Sequence, residues 1–229
     1  MAHTTTHRPL RFIVAAALPL GMAALWAGSV YHYGDASASA SAVIADAQAH
    51  PSAHLVNAVG CLAETILFTI AIIGLVALVR ERGRTFLLAA CGVLAVGLPS
   101  HAMGATWDLL LHQLATSSLP TATQVDVVKA VEGVSGVYFA LIVPFLLGLI
   151  LLTAALWRAR VVSWQPFALL LGDIVFGMFF TTGTTPSYWL WWVDPIVTIA
   201  AFAWIGVALV RGRDEVASAP EPVLEHAAA

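Results

Sequence analysis

The chain has 229 residues, of which 60% are apolar and only 10% charged, with a mean hydropathy of +0.88. A soluble domain carries about 25% charged residues, so this composition excludes an ordinary water-soluble globule and indicates a polytopic membrane protein. The formal net charge of -3 is segregated along the chain, and no basic surface exists beyond a few turns, which removes nucleic acid as a partner.

A hydrocarbon core of about 30 Å needs about 20 apolar residues in helical form. Six runs of that order predict spans over Phe12 to Tyr31, Leu55 to Val79, Thr85 to Leu110, Val128 to Trp157, Val162 to Phe180 and Ser187 to Val210. Only helices and closed barrels satisfy their backbone groups in lipid, and these runs are too long and uniformly apolar for barrel strands. The expected fold class is therefore an all-helical transmembrane bundle of six spans. Residues 1–11 form a short N-terminus, 12–210 the membrane domain, and the acidic, Pro/Ala-rich segment 211–229 a disordered tail.

The arginines set the expected orientation. Arg8 and Arg11 precede the first run, Arg80, Arg82 and Arg84 fill the next turn on that side, Arg158 and Arg160 follow the fourth run, and Arg211 and Arg213 follow the last. Arginine excess beside short loops marks the cytoplasmic side, so both termini are expected inside, in the cytoplasmic (inner) membrane of a bacterium. The first run followed by "DASASASA" also resembles a secretory signal, but its length favours an uncleaved anchor. Residues 32–54 fall outside in either case, as an Ala/Ser-rich loop with room for a short interfacial helix.

Two cysteines are present. Cys61 lies 19 residues from Arg80 and Cys91 lies 7 from Arg84, a depth difference of roughly 18 Å that forbids a disulfide. There is no CxxC, heme-attachment or zinc-ribbon spacing, and no cofactor is expected.

An ionisable side chain at membrane depth costs at least about 2.5 kcal/mol unless paired or wetted. Glu64, His101 and Asp194 fall in the outer thirds of their spans, Asp173 lies near the middle of the fifth, and Asp108, His112 and Glu132 lie close to the outer interface. In "PSHAMGATWDLLLH" the spacings of 7 and 4 residues between His101, Asp108 and His112 put all three within about 40° on one helix face. Asn57, Cys61 and Glu64 form a second stripe on the preceding span. In a compact bundle such groups face the interior or a cavity, so Glu64, His101, Asp108, Asp173 and Asp194 are candidates for ligand binding or proton relay.

Asp194 sits in "TTGTTPSYWLWWVDPIV", where Pro195 can free a carbonyl beside it. The tryptophans there make an interfacial belt, but a cluster this dense turns one or two rings inward. Trp191 and Trp192 are therefore candidates to wall a pocket for an apolar or cationic ligand. A weak metal set can be drawn from His50, His54, His101 and His112, since the first two have i, i+4 spacing; Pro51 disturbs that pair and no HExxH accompanies it, so no metal is expected.

Three functions remain open on these residues. The favoured one is an outward-opening polar pocket that binds or transports a small protonatable or cationic ligand. The second is a membrane-embedded acid/base enzyme acting on a lipid or isoprenoid, with Glu64 and His101, or Asp173 and Asp194, as the couple. The third is a structural or accessory subunit in which the same groups hold helices together. Membrane lipids are the expected partners, and a homo-oligomer is permitted.

The stretch "LIVPFLLGLILLTAALWRARVVSWQPFALLLG", in which an apolar span ends in an aromatic and basic turn followed by Trp164, Pro166 and Gly172, and the closing span ending in "VRG" resemble an uncharacterised family of six-span bacterial membrane proteins. The resemblance covers residues 55 to 212. It implies a six-helix topology and supplies no activity or binding residue.

Overall fold

The structure is a computed structural model and describes residues 7–29, 39–78, 83–132, 135–180 and 190–211. Its helices are α1 (His7–Ser29), α2 (Ala40–Ala49), α3 (Pro51–Leu78), α4 (Arg84–Gly97), α5 (Pro99–Thr116), α6 (Thr121–Glu132), α7 (Ser135–Arg158), α8 (Gln165–Phe180) and α9 (Leu190–Arg211). No strand occurs among the described residues. Among the described residues four stretches are long and apolar enough to cross a membrane: Arg8–Ala27, Pro51–Leu78, Arg84–Thr116 and Gly136–Arg158. Gln165–Val175 and Pro195–Arg211 are shorter apolar helices.

Local chemistry explains the boundaries. The Ser39 hydroxyl caps α2 by accepting from the Ala42 N–H at 3.3 Å, satisfying a backbone donor that a helix start leaves orphaned. His50 then leaves helical geometry (φ -132°, ψ 50°), as the residue before a proline tends to, and Pro51 opens α3. Pro99 divides α4 from α5 because it lacks the N–H that would continue the ladder. The Ser100 hydroxyl donates to the Gly97 carbonyl at 2.7 Å, and Leu98 stays helical, so the chain bends there and continues.

One helix extends beyond its expected boundary. The third run does not end at Leu110 but continues as α5 to Thr116. Of the fourth run, the described residues fall in α6, which reaches Glu132, and in α7, which starts at Ser135. A 30-residue run exceeds what a bilayer requires, and its first part belongs to another layer.

The long helices form a ring in chain order. α3 packs on α5, α4 lies along α7, α8 touches both α7 and α9, and α1 closes the ring against α3 and α9. Close approach is built in at α4 and α7, where a Cβ on Gly97 would stand 2.2 Å from the Phe145 nitrogen and one on Gly148 2.5 Å from Leu94 Cα. α1 is equally tight, with Gly206 against the Ala15 carbonyl and Gly74 against Val14. These contacts, with Gly83 against Ala159, gather Arg8, Arg11, Arg84, Arg158, Arg160 and Arg211 at one end of the ring.

Phe68 fills the centre. It is fully buried, meets Phe145 of α7 edge-on at 6.2 Å and Phe202 of α9 at 5.6 Å between ring centroids, and lies against Gly21 of α1. Leu75, Leu87, Leu152, Leu156 and Ile205 belong to the same core. At the end opposite the arginines, α2 packs on α5 and α6. Ile44 and Ala47 bury themselves there among Leu111, Leu114 and Val128, and Gln48 Nε2 donates to Gln124 Oε1 at 2.9 Å. This small layer caps the bundle.

Candidate functional site

The polar residues of α3 and α5 meet at the seam between those helices. His101 Nδ1 is in direct contact with Glu64 Oε2, with both side chains buried. Nearer the capped end, His54 Nδ1 lies 2.8 Å from Asp108 Oδ1, and Asn57 Nδ2 donates to Asp108 Oδ2 at 2.6 Å. The two imidazole–carboxylate pairs are reciprocal, with the imidazole on α3 and the acid on α5 in one and the reverse in the other. Antiparallel helices carrying seven- and ten-residue spacings bring this about, and the pairs stand about 10–15 Å apart along the helix axes.

The α5 stripe read from spacing is thus a contact stripe. Its third member, His112, places Nδ1 2.8 Å from the Pro51 carbonyl, and so ties α5 to the start of α3. Cys61 lies on α3 between Asn57 and Glu64, buried with Ala58 and Ala105. Tyr138 of α7 lies beside α5, its ring 3.8 Å from where a Cβ on Gly104 would stand.

Beneath this seam is the aromatic layer. Glu64 and Phe68 are four residues apart on the same face of α3, and the His101 ring meets Phe145 edge-on at 4.2 Å. Thr198 stands in the same relation to Phe202 on α9, and its hydroxyl donates to Asp173 Oδ2 at 2.5 Å. Polar groups of four helices therefore stand one turn from the Phe68, Phe145 and Phe202 layer, on the side away from the arginines.

The burial of Glu64 is complete, at 0% exposure, and its Oε1 has no hydrogen-bond partner among the described residues. Asn57 Oδ1 is a second buried acceptor of that kind. Buried polar atoms are paired in more than about nine cases in ten, and two acceptors of this kind flank Cys61 in the seam.

Some expected groupings are not formed among the described residues, and others lie outside them. Asp173 bonds Thr198 on a different helix pair from Glu64 and His101. The side chains of Trp191, Trp192, Asp194 and Glu132 lie outside what the structure describes, so the Asp173 and Asp194 couple and the tryptophan wall fall there as well. His50 and His54 do not share a helix face, because the Pro51 boundary puts exposed His50 at the end of α2 and buried His54 in the first turn of α3. Among the described residues no group of three or more His, Cys, Asp or Glu is arranged to hold a metal ion, and both thiols are free and buried.

Asp46, Phe68, Phe145, Tyr138 and Thr198 did not stand out in the sequence. Asp46 Oδ2 lies 3.9 Å from His54 Nε2 and links the cap helix to the seam. Its signal was the helical pattern of "ASAVIADAQA"; the aromatics, scattered among many apolar residues, gave none. No protein family, no curated protein and no solved structure matches the chain, so the resemblance over residues 55 to 212 gains no support there and the site rests on its own geometry.

Proposed function

We propose that the protein is a six-span membrane protein of the bacterial inner membrane, with both termini cytoplasmic. In this reading Glu64 and His101 form a site, reached from the outer side, that binds a small protonatable or cationic ligand for retention or transport. The arginine-bearing end supports the orientation. Large exposed apolar side chains such as Ile66, Ile73, Val143 and Ile196 support a lipid-facing surface.

The observation that carries the reading is the unpartnered Oε1 of fully buried Glu64. An interhelical hydrogen bond in a membrane contributes about 0.6 kcal/mol on average, whereas a charged side chain at depth costs at least about 2.5 kcal/mol. His101 pairs Oε2 against that cost, and Oε1 stays without a hydrogen-bond partner among the described residues. Helix fastening uses the first oxygen; holding a proton or cation would use the second.

The test is thermal unfolding of the detergent-purified chain over a pH series, and with ammonium, methylammonium or choline added. Wild type is expected to gain stability from at least one of these cations, the proton included, and Glu64→Gln is expected to lose that gain. Identical responses of the two proteins under every condition would contradict the proposal. The direct Glu64–His101 contact also suits an acid/base enzyme, and turnover of a lipid extract by wild type but not by Glu64→Gln would select that second reading.

A further inference from the structure

We infer that the ligand of the Glu64 site is the proton itself, delivered from the capped end through the His54–Asp108 pair and stopped by the layer of Phe68, Phe145 and Phe202. This deepens the function proposed above and rests on it.

The first ground is access. Glu64 is fully buried, its Oε2 is held by His101, and its face of α3 is closed by Phe68 on one side. A molecular cation reaches Oε1 only if helices part. A proton reaches it by passing between hydrogen-bonding groups, which is how chains of Asp, Glu and His work inside membranes.

The second ground is the sequence of groups along the seam. From the cap inward stand Asp46, then His54, then Asp108 with Asn57, and then Cys61 among Ala58 and Ala105, with Tyr138 beside Gly104. Glu64 and His101 follow. The acceptors Asn57 Oδ1 and Glu64 Oε1 flank Cys61, so a water between the pairs has hydrogen-bond acceptors at both ends, of which the Glu64 carboxylate can take the proton.

The third ground is what faces Glu64 from the other packed elements. α1 presents Val14, Gly21 and Leu25 to α3, and Cys91 of α4 lies within the apolar core. His101 and Asp108 of α5, Tyr138 of α7 and Cys61 of α3 itself are the titratable groups about it, with Asp46 of α2 reaching the seam through His54. Beyond Phe68 the core is made of Leu75, Leu87, Leu152, Leu156 and Ile205, which cannot carry a proton. Among the described residues the polar groups of the seam lead only toward the capped end.

The step balances without a co-reactant. A proton from water at the capped end is taken up by the His54–Asp108 pair as that pair releases one inward. The carboxylate of Glu64 becomes a carboxylic acid, the relay groups return to their starting state, and discharge retraces the path.

Infrared spectroscopy of the full chain in nanodiscs tests this. The carboxylic C=O band of Glu64 is assigned by its loss in Glu64→Gln, and its isotope shift is followed after a switch from water to heavy water at a pH where the band is present. Asp108→Asn is expected to slow that shift at least tenfold while leaving the pH at which the band appears little changed, and His54→Gln is expected to do the same should Asp108→Asn not fold. An unchanged exchange rate in the folded variant overturns the relay and leaves the Glu64 site standing. A band absent at every pH, or one that survives Glu64→Gln, overturns both the relay and the site.

Discussion

Glu64 and Phe68 stand one helical turn apart on the inward face of α3, the first fully buried with an unpartnered oxygen and the second fully buried at the meeting point of α1, α7 and α9. The carboxylate thus rests on an aromatic floor. What the floor separates is a polar seam on one side and an apolar core on the other, and the consequences can be measured.

Phe68→Ala is expected to cost about 3–5 kcal/mol of stability, the range for deleting a buried aromatic ring. Denaturant unfolding in detergent measures it. Phe68→Leu, which keeps most of the volume, should cost distinctly less. Equal and small losses for both would mean that the ring does not fill the centre of the bundle.

The α3–α5 seam was legible in part from residue spacing. His101, Asp108 and His112 repeat at helical intervals, as do Asn57, Cys61 and Glu64, and a polar stripe among apolar neighbours must turn inward. Their partners were not legible, because six apolar runs carry no information on helix order. His54 fell outside the second run, which was taken to start at Leu55; Pro51, a favoured first residue of a helix, is the mark that extends α3 far enough to place His54 against Asp108.

A double-mutant cycle on His54→Ala and Asp108→Ala should give a coupling energy of about 0.6 kcal/mol and no more than about 1.7 kcal/mol, as for other interhelical pairs in membranes. Unfolding midpoints of the four proteins supply the numbers. A coupling near zero would show that the contact does not join α3 to α5.

Gly97→Val should prevent α4 from seating on α7, since a Cβ there would meet the Phe145 backbone at 2.2 Å, whereas nothing lies within 4 Å of a Cβ on Gly92. Gly92→Ala is therefore expected to be neutral or slightly stabilising. Yield of monodisperse protein after size-exclusion chromatography distinguishes them. Equal yields would contradict the close α4–α7 approach.

Fusions of alkaline phosphatase, which is active only outside the cytoplasm, test the orientation carried by the arginines. A fusion after Ser118 should be active, and fusions after Arg160 or Arg211 inactive. The reverse pattern would invert the bundle and turn the mouth of the polar seam toward the cytoplasm.

The most direct measurement of the central claim is proton uptake by purified protein after a downward pH jump, compared between wild type and Glu64→Gln. If Glu64 is a reversible proton site, wild type takes up about one proton more per chain than the variant, the capacity of a single carboxylate. Equal uptake by the two proteins at every pH would contradict the account and leave the seam between α3 and α5 as an interhelical fastening.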